Sequence, residues 1–197
     1  MAILGSDSAG SAGKTLDGGV DLIQLRAKEL STQDLVRLVR EVVAKTRRPE
    51  RIIVNGRPDV AALADCGGVH LPESGLNLRQ VREAYPHLVV GVSRHDRPGL
   101  EAADRGGADY ALLGTVGKSP GKENSWMGLV QASELLKGIT LPVLAVGGVD
   151  QELAARLRMA GFRGGAAVRP FRDEREAEAA ARSLKSALNP RAEEDLS

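Results

Sequence analysis

The chain has 197 residues, of which 42% are hydrophobic and 27% charged, with a formal net charge of +1. This length suits one domain with a sizeable core, and the balanced charge gives no footprint for nucleic acid or a membrane surface. One cysteine, Cys66, excludes an intramolecular disulfide framework and a cysteine metal site.

No run approaches the ~20 apolar residues of a membrane span. The small, polar segment 1–14 does not read as a signal peptide, so a cytoplasmic location is the default expectation. Aromatic residues are only 3%. The core must therefore be Leu, Val, Ile and Ala, the composition of parallel strands covered by helices.

Along the chain, 2–4 is a weak first strand. A joint then recurs four times, in which a helix-like stretch ends in glycine and an apolar strand follows at once. The copies are Leu16-Asp-Gly-Gly-Val-Asp-Leu-Ile-Gln-Leu25, Ala64-Asp-Cys-Gly-Gly-Val-His-Leu71, Ala103-Asp-Arg-Gly-Gly-Ala-Asp-Tyr-Ala-Leu-Leu113 and Met159-Ala-Gly-Phe-Arg-Gly-Gly-Ala-Ala-Val168. Glycine at the joint is expected to take the left-handed conformation that ends a helix. Short β-branched runs at 51–54, 88–92 and 142–146 complete about eight strands. Helices are expected at 32–45, 77–84, 98–105, 129–136, 151–159 and 172–188, with Ser31 and Asp150 as N-caps. Leu35, Leu38, Val39, Val42 and Val43 form one apolar stripe, expected to pack in the core.

Repeated βα units leave a closed barrel or an open doubly wound sheet. Eight strands in this length point to the lower edge of barrel size, a single α/β (β/α)8 TIM barrel over 1–189. Fewer than ~20 residues separate the first two strands, so the first βα unit is expected to be shortened. Residues 190–197 read as a charged, frayed tail.

In either architecture a ligand sits at the carboxyl ends of the strands, so the residues there are the candidates. After the second strand, Gln24, Arg26 and Lys28 share a face by the period of two, suiting a phosphate or pyrophosphate or simply a solvated strand end. After the third, Asn55 either binds a ligand or makes an Asx-turn. Asp59 is expected to cap a short helix beginning at Val60. His70, within the fourth strand, reads as a core histidine bonded to the backbone. After the fifth come Ser93 and His95, the latter the one histidine on a strand-to-helix loop at the active end. It suits proton transfer near neutral pH, or it is a surface residue beside Asp96. The loop 114–122, with Lys122, either closes over a phosphate or is a surface lid, and its spacing is not that of a Walker A motif. After the seventh and eighth strands, Gly147, Gly148, Val168 and Arg169 suit a phosphate held by backbone N–H groups and a helix N-terminus, with tight-turn glycines as the plainer reading.

Seven segments between Val20 and Phe171, taken together and in order, resemble the thiamine phosphate synthase and TenI superfamily of (β/α)8 barrels. They are Gln24-Leu-Arg-Ala-Lys28, Asn55-Gly-Arg-Pro-Asp59, Gly68-Val-His-Leu71, Gly91-Val-Ser-Arg-His95, Gly107-Ala-Asp-Tyr110, Ser119-Pro-Gly-Lys122 and Ala145-Val-Gly-Gly148. In the synthases, two aspartates hold the magnesium that binds pyrophosphate, and here Gly56 and Gly75 stand at those positions. Asn-Gly-Arg and His-Leu-Pro-x-Ser look like the TenI branch instead.

The resemblance to that branch implies a metal-independent thiazole tautomerase, aromatising a carboxythiazole ethyl phosphate with His95 as the catalytic acid and base. It implies no cofactor, a thiazole phosphate or thiamine phosphate-like ligand and a homodimer. No nucleic acid, membrane or metal site is expected. Gln24, Arg26, Lys28 and Ser93 keep the synthase pattern, and an alternative is therefore a thiamine phosphate synthase, a Mg2+-dependent transferase joining a pyrimidine pyrophosphate to thiazole phosphate. A third reading is a barrel that binds a phosphorylated ligand without turnover. Arg169 stands where the superfamily carries a small residue, and it either binds phosphate or blocks the usual pocket.

Overall fold

The computed structural model describes residues 1–118 and 126–189. The tail at 190–197 lies outside the described residues, as does Lys122. Eight parallel strands run in sequence order: β1 (Ala2–Leu4), β2 (Ile23–Leu25), β3 (Ile52–Asn55), β4 (Gly68–Leu71), β5 (Val89–Arg94), β6 (Tyr110–Gly114), β7 (Val143–Val146) and β8 (Gly164–Ala166). The ends of the sheet meet. Ile3 N–H donates to the Ala167 carbonyl at 2.9 Å and Ala167 N–H to the Met1 carbonyl at 3.2 Å. The expected barrel is the observed one.

Among the described residues eight α-helices cover it: α1 (Ala12–Asp17), α2 (Thr32–Thr46), α3 (Pro58–Leu63), α4 (Leu78–Ala84), α5 (Arg97–Arg105), α6 (Leu129–Leu136), α7 (Gln151–Leu157) and α8 (Ala177–Leu188). The first βα unit is short, as its spacing implies, with a six-residue α1 preceded by one 3-10 turn. Ser31 and Asp150 cap α2 and α7 by accepting from the N–H groups of Asp34 and Leu153. The helix expected from 172 starts only at Ala177. A 3-10 turn (Arg169–Phe171) and an Asp173 turn, whose carboxylate accepts from Arg175 N–H, occupy the approach. Asp59 does not cap α3. That helix opens on Pro58, and Asp59 instead pairs with Arg57 at 2.6 Å.

Two apolar cores follow from the strand alternation. Most buried side chains, including Leu35, Val39 and Val42 of the α2 stripe, fill the layer between sheet and helices. A smaller cluster of Ile3, Tyr110, Leu112 and Ala166 packs separately, inside the barrel.

The recurrent joint needs one correction. Gly19, Gly107 and Gly161 have the expected positive φ, but in the second copy Asp65 takes it (φ 51). Gly67 and Gly68 are required there for room. A Cβ on either would lie 2.2 Å from the Glu50 carbonyl or 2.1 Å from that of Val89.

Candidate active site

The carboxyl ends of the strands surround a cleft of about 650 Å3. Its floor and walls are inward-facing strand residues: Ile3, Gln24, Asn55, His70, Ser93, Leu112, Val146 and Ala166. Asp7, Ser8, Arg26, His95, Thr115, Gly147, Gly148, Val168, Arg169 and Arg172 come from the loops above. Nine of the eleven residues singled out from the sequence therefore converge here. Lys122 is one of the remaining two, outside the described residues. Lys28 is the other, and it does not line the cleft. Strand β2 ends at Leu25, so the alternation that linked Gln24, Arg26 and Lys28 stops before it reaches Lys28.

The cleft is cationic, with the Arg26 charge also acting on the Glu29 carboxylate. Arg26, Arg169 and Arg172 are exposed and form no ion pair among the described residues. Asp7 is the one carboxylate on the lining, and its Oδ1 accepts from Ser8 Oγ at 3.2 Å. Arg172 was not singled out from the sequence, because it was assigned to a helix that starts five residues later. The backbone N–H groups of Gly148, Val149 and Val168, all on the lining, donate to no protein acceptor among the described residues. This is the donor set that holds an anion. At the floor, Gln24 is 1% exposed and its Nε2 has no hydrogen-bond partner among the described residues. A buried amide donor without an acceptor is destabilising unless a ligand supplies one. Asn55 makes no Asx-turn, since its side chain has no protein hydrogen bond among the described residues.

Gly147 and Gly148 serve two ends. Both have positive φ, 94° and 64°. A Cβ on Gly147 would lie 2.4 Å from Thr115 Cγ2, and one on Gly148 would lie 2.4 Å from the Lys118 carbonyl. The diglycine lets the loops after β6 and β7 run against each other, sealed by Gly117 N–H to the Gly147 carbonyl at 2.9 Å.

The two histidines of the site differ. His70 is buried, but not on the backbone as expected: Nε2 lies 2.8 Å from Ser93 Oγ and Nδ1 lies 3.2 Å from the Tyr110 hydroxyl. Burial, helped by the Arg94 charge, pushes its pKa down to about 4, so it is neutral at physiological pH. Ser93 belongs to β5 rather than to the loop that follows. His95 is exposed, and its Nδ1 meets Glu73 Oε2 at 2.7 Å. Its neighbour is Glu73 of the loop after β4, because Asp96 turns away to cap α5 by accepting from Gly99 N–H.

The sequence profile of thiamine monophosphate synthase matches residues 3–171. The chain belongs to that family. Among similar members of the thiamine monophosphate synthase family, the thiamine-phosphate synthase of Chlorobium luteolum is 31% identical over 180 residues, 89% of this chain and 85% of the relative. That of Campylobacter jejuni is 32% identical over 174 residues, 86% and 81%. The thiamine phosphate pyrophosphorylase of Pyrococcus furiosus shares the fold with a TM-score of 0.83 at 22% identity, over 96% of this chain and 95% of that one.

Against this family the magnesium positions do not fit. Gly56 sits at φ 72, where L side chains are strained, and a Cβ on Gly75 would lie 2.9 Å from the Pro72 carbonyl. Glu73, two residues before Gly75, is engaged by His95. No group of three or more His, Cys, Asp or Glu that could hold a metal occurs among the described residues. No helix among the described residues is long and apolar enough to cross a membrane.

Proposed function

We propose that the chain is a transferase of the thiamine-phosphate synthase type. It would join a thiazole phosphate to a pyrimidine pyrophosphate in the cleft at the carboxyl ends of the strands. The thiazole ring nitrogen forms a C–N bond to the exocyclic carbon of the pyrimidine. The C–O bond to pyrophosphate breaks, and its electron pair leaves with pyrophosphate.

One observation carries this reading: three arginines, three N–H groups and a buried amide, all without a partner among the described residues, surround one cleft in a chain whose relatives are named thiamine-phosphate synthase. Arg26, Arg169 and Arg172 neutralise the charge that gathers on the departing pyrophosphate. The N–H groups of Gly148, Val149 and Val168 hold the phosphate of the thiazole. The amide of Gln24 donates to an acceptor on a ring seated at the floor. Since Gly56 and Gly75 carry no carboxylate, the arginines bear the role that a metal site fills in the family, and no step is assigned to magnesium.

A second reading is favoured by the His95–Glu73 pair. A carboxylate on Nδ1 orients the imidazole and leaves Nε2 free at the cleft, the arrangement of a general base. That geometry suits a 1,3-proton shift in a thiazole phosphate, the tautomerase reaction. Supplying the purified protein with each substrate set separates the two. Thiamine phosphate formed from the pyrimidine and thiazole supports the transferase. Aromatisation of the carboxythiazole ethyl phosphate without any coupling, lost in His95→Gln, replaces it with the isomerase.

A further inference from the structure

His70, Ser93 and Tyr110 lie on three neighbouring strands, and one glycine lets them meet. His70 of β4 pairs in register with Gly91 of β5, which pairs in turn with Tyr110 of β6. Any side chain at 91 would stand between them, since a Cβ built there lies 2.0 Å from Tyr110 Cζ. With no Cβ, the phenol crosses the gap. Its ring stacks on the imidazole with centroids 5.6 Å apart, and its hydroxyl reaches His70 Nδ1 at 3.2 Å. His70 Nε2 in turn reaches Ser93 Oγ at 2.8 Å. His70 and Tyr110 are buried, while Ser93 is half-buried and lines the cleft.

Counting protons fixes the direction of this row. The Tyr110 hydroxyl has His70 Nδ1 as its one hydrogen-bond partner among the described residues. A buried O–H that donates to nothing costs about 1–3 kcal/mol. Tyr110 therefore donates to Nδ1, which leaves the imidazole proton on Nε2. Nε2–H donates to Ser93 Oγ. The serine's own proton then has no protein acceptor among the described residues and is left for the cleft. The imidazole stays neutral at physiological pH, so this tautomer persists. The row does not pass a proton along its length, because that would leave a phenolate in a site whose burial pushes the Tyr110 pKa up.

We propose that Tyr110 and His70 are positioning residues that hold Ser93 as a one-way hydrogen-bond donor to a phosphate oxygen of the ligand. The inference rests on the cleft being the phosphorylated-substrate site. It adds selectivity to that site: an oxygen bearing negative charge meets a fixed donor, whereas a ligand group that can only donate meets another donor and is rejected.

Two measurements on the intact chain test this. Long-range 15N–1H correlation spectra at neutral pH report the His70 tautomer, and calorimetry with inorganic pyrophosphate reports the donor. Tyr110→Phe keeps the ring over Gly91 and removes only the hydroxyl, so it tests the row without opening the core. The expected tautomer carries its proton on Nε2. Ser93→Ala is expected to weaken pyrophosphate binding about tenfold and Tyr110→Phe about threefold. The double variant should bind no more weakly than Ser93→Ala alone, because both act through one hydroxyl. His70→Gln, which keeps an amide donor toward Ser93, should bind within about threefold of the parent.

A proton on Nδ1, losses that add in the double variant, an unaffected Ser93→Ala, or a parent chain that does not bind pyrophosphate would each overturn the proposal. Failure of the transferase reading is separate: the tautomer and the binding cycle would stand while no thiamine phosphate forms.

Discussion

Arg169 follows β8 and lines the cleft with its side chain exposed to solvent. It stands where the superfamily carries a small residue, and either role, blocking or binding, was open. In the structure it lines the cleft with Arg26 and Arg172, solvent-exposed and free of any ion pair among the described residues, and the proposed function gives it the binding role. Arg169→Ala is expected to raise the KM for a phosphorylated substrate by roughly 10- to 100-fold, the loss of one charge-assisted hydrogen bond. The effect should shrink as salt rises, and steady-state kinetics at two ionic strengths check both points.

Cys66 makes a different residue-scale prediction. Burial pushes its thiol up to about 11, so it is protonated at pH 8. Its reaction with a disulfide reagent in the folded protein should be about 100-fold slower than in the unfolded chain. His70 links protonation to stability. Its pKa falls from 6.5 in the unfolded chain to about 4 in the fold. The unfolded state therefore takes up the proton first. The contribution is complete above pH 6.5 and is lost as the pH falls toward 4, a change of about 3 kcal/mol. Chemical denaturation across this range should show that loss in the parent and a flatter acid limb in His70→Gln.

At the scale of elements, caps and close approaches decide what is replaceable. Ser31→Ala removes the acceptor for Asp34 N–H at the start of α2, and a loss of about 1 kcal/mol is expected. Gly91→Ala places a Cβ against the Tyr110 ring, and overpacking of about 1–3 kcal/mol follows. For a chain of this size each kcal/mol lowers the melting temperature by roughly 2–4 °C, so differential scanning calorimetry resolves both.

The same distinction explains what the sequence made legible. Ser31, Asp150 and the apolar periodicity placed α2 and α7 because capping and periodicity are local. The start of α8 was misplaced because residues 172–176 have helical composition but follow the 3-10 turn at Arg169–Phe171. Gly67 and Gly68 were expected to end a helix rather than to make room, and Gly91 carried no role in the sequence. Each is small because of a backbone or ring on a neighbouring strand or turn, and such neighbours are set by register rather than by spacing. His70 was misread for that reason too: its partners, Ser93 and Tyr110, are 23 and 40 residues away along the chain.

For the whole molecule, four helix-to-strand joints, three β-branched runs and the short apolar segment 2–4 together announce eight parallel strands, and closure follows from the pairing of β1 with the residues after β8. Closure brings the loops after β1, β2, β7 and β8 around one opening, and this is why Arg26, Arg169 and Arg172, dispersed in sequence, form one cationic rim. The role that the proposed function gives that rim was not legible. A missing carboxylate pair can be read as a lost reaction until the arginines are seen to face the same cleft. In the proposed function this rim supports displacement of pyrophosphate. The most direct measurement is a one-tube 31P NMR time course with the purified chain, thiazole phosphate, a pyrimidine pyrophosphate and magnesium in the buffer, run beside Arg169→Ala. The expected result is equimolar growth of pyrophosphate and thiamine phosphate signals in the parent, with the variant slower at subsaturating substrate. A spectrum in which the parent leaves both substrates unchanged would rule out pyrophosphate displacement in this cleft.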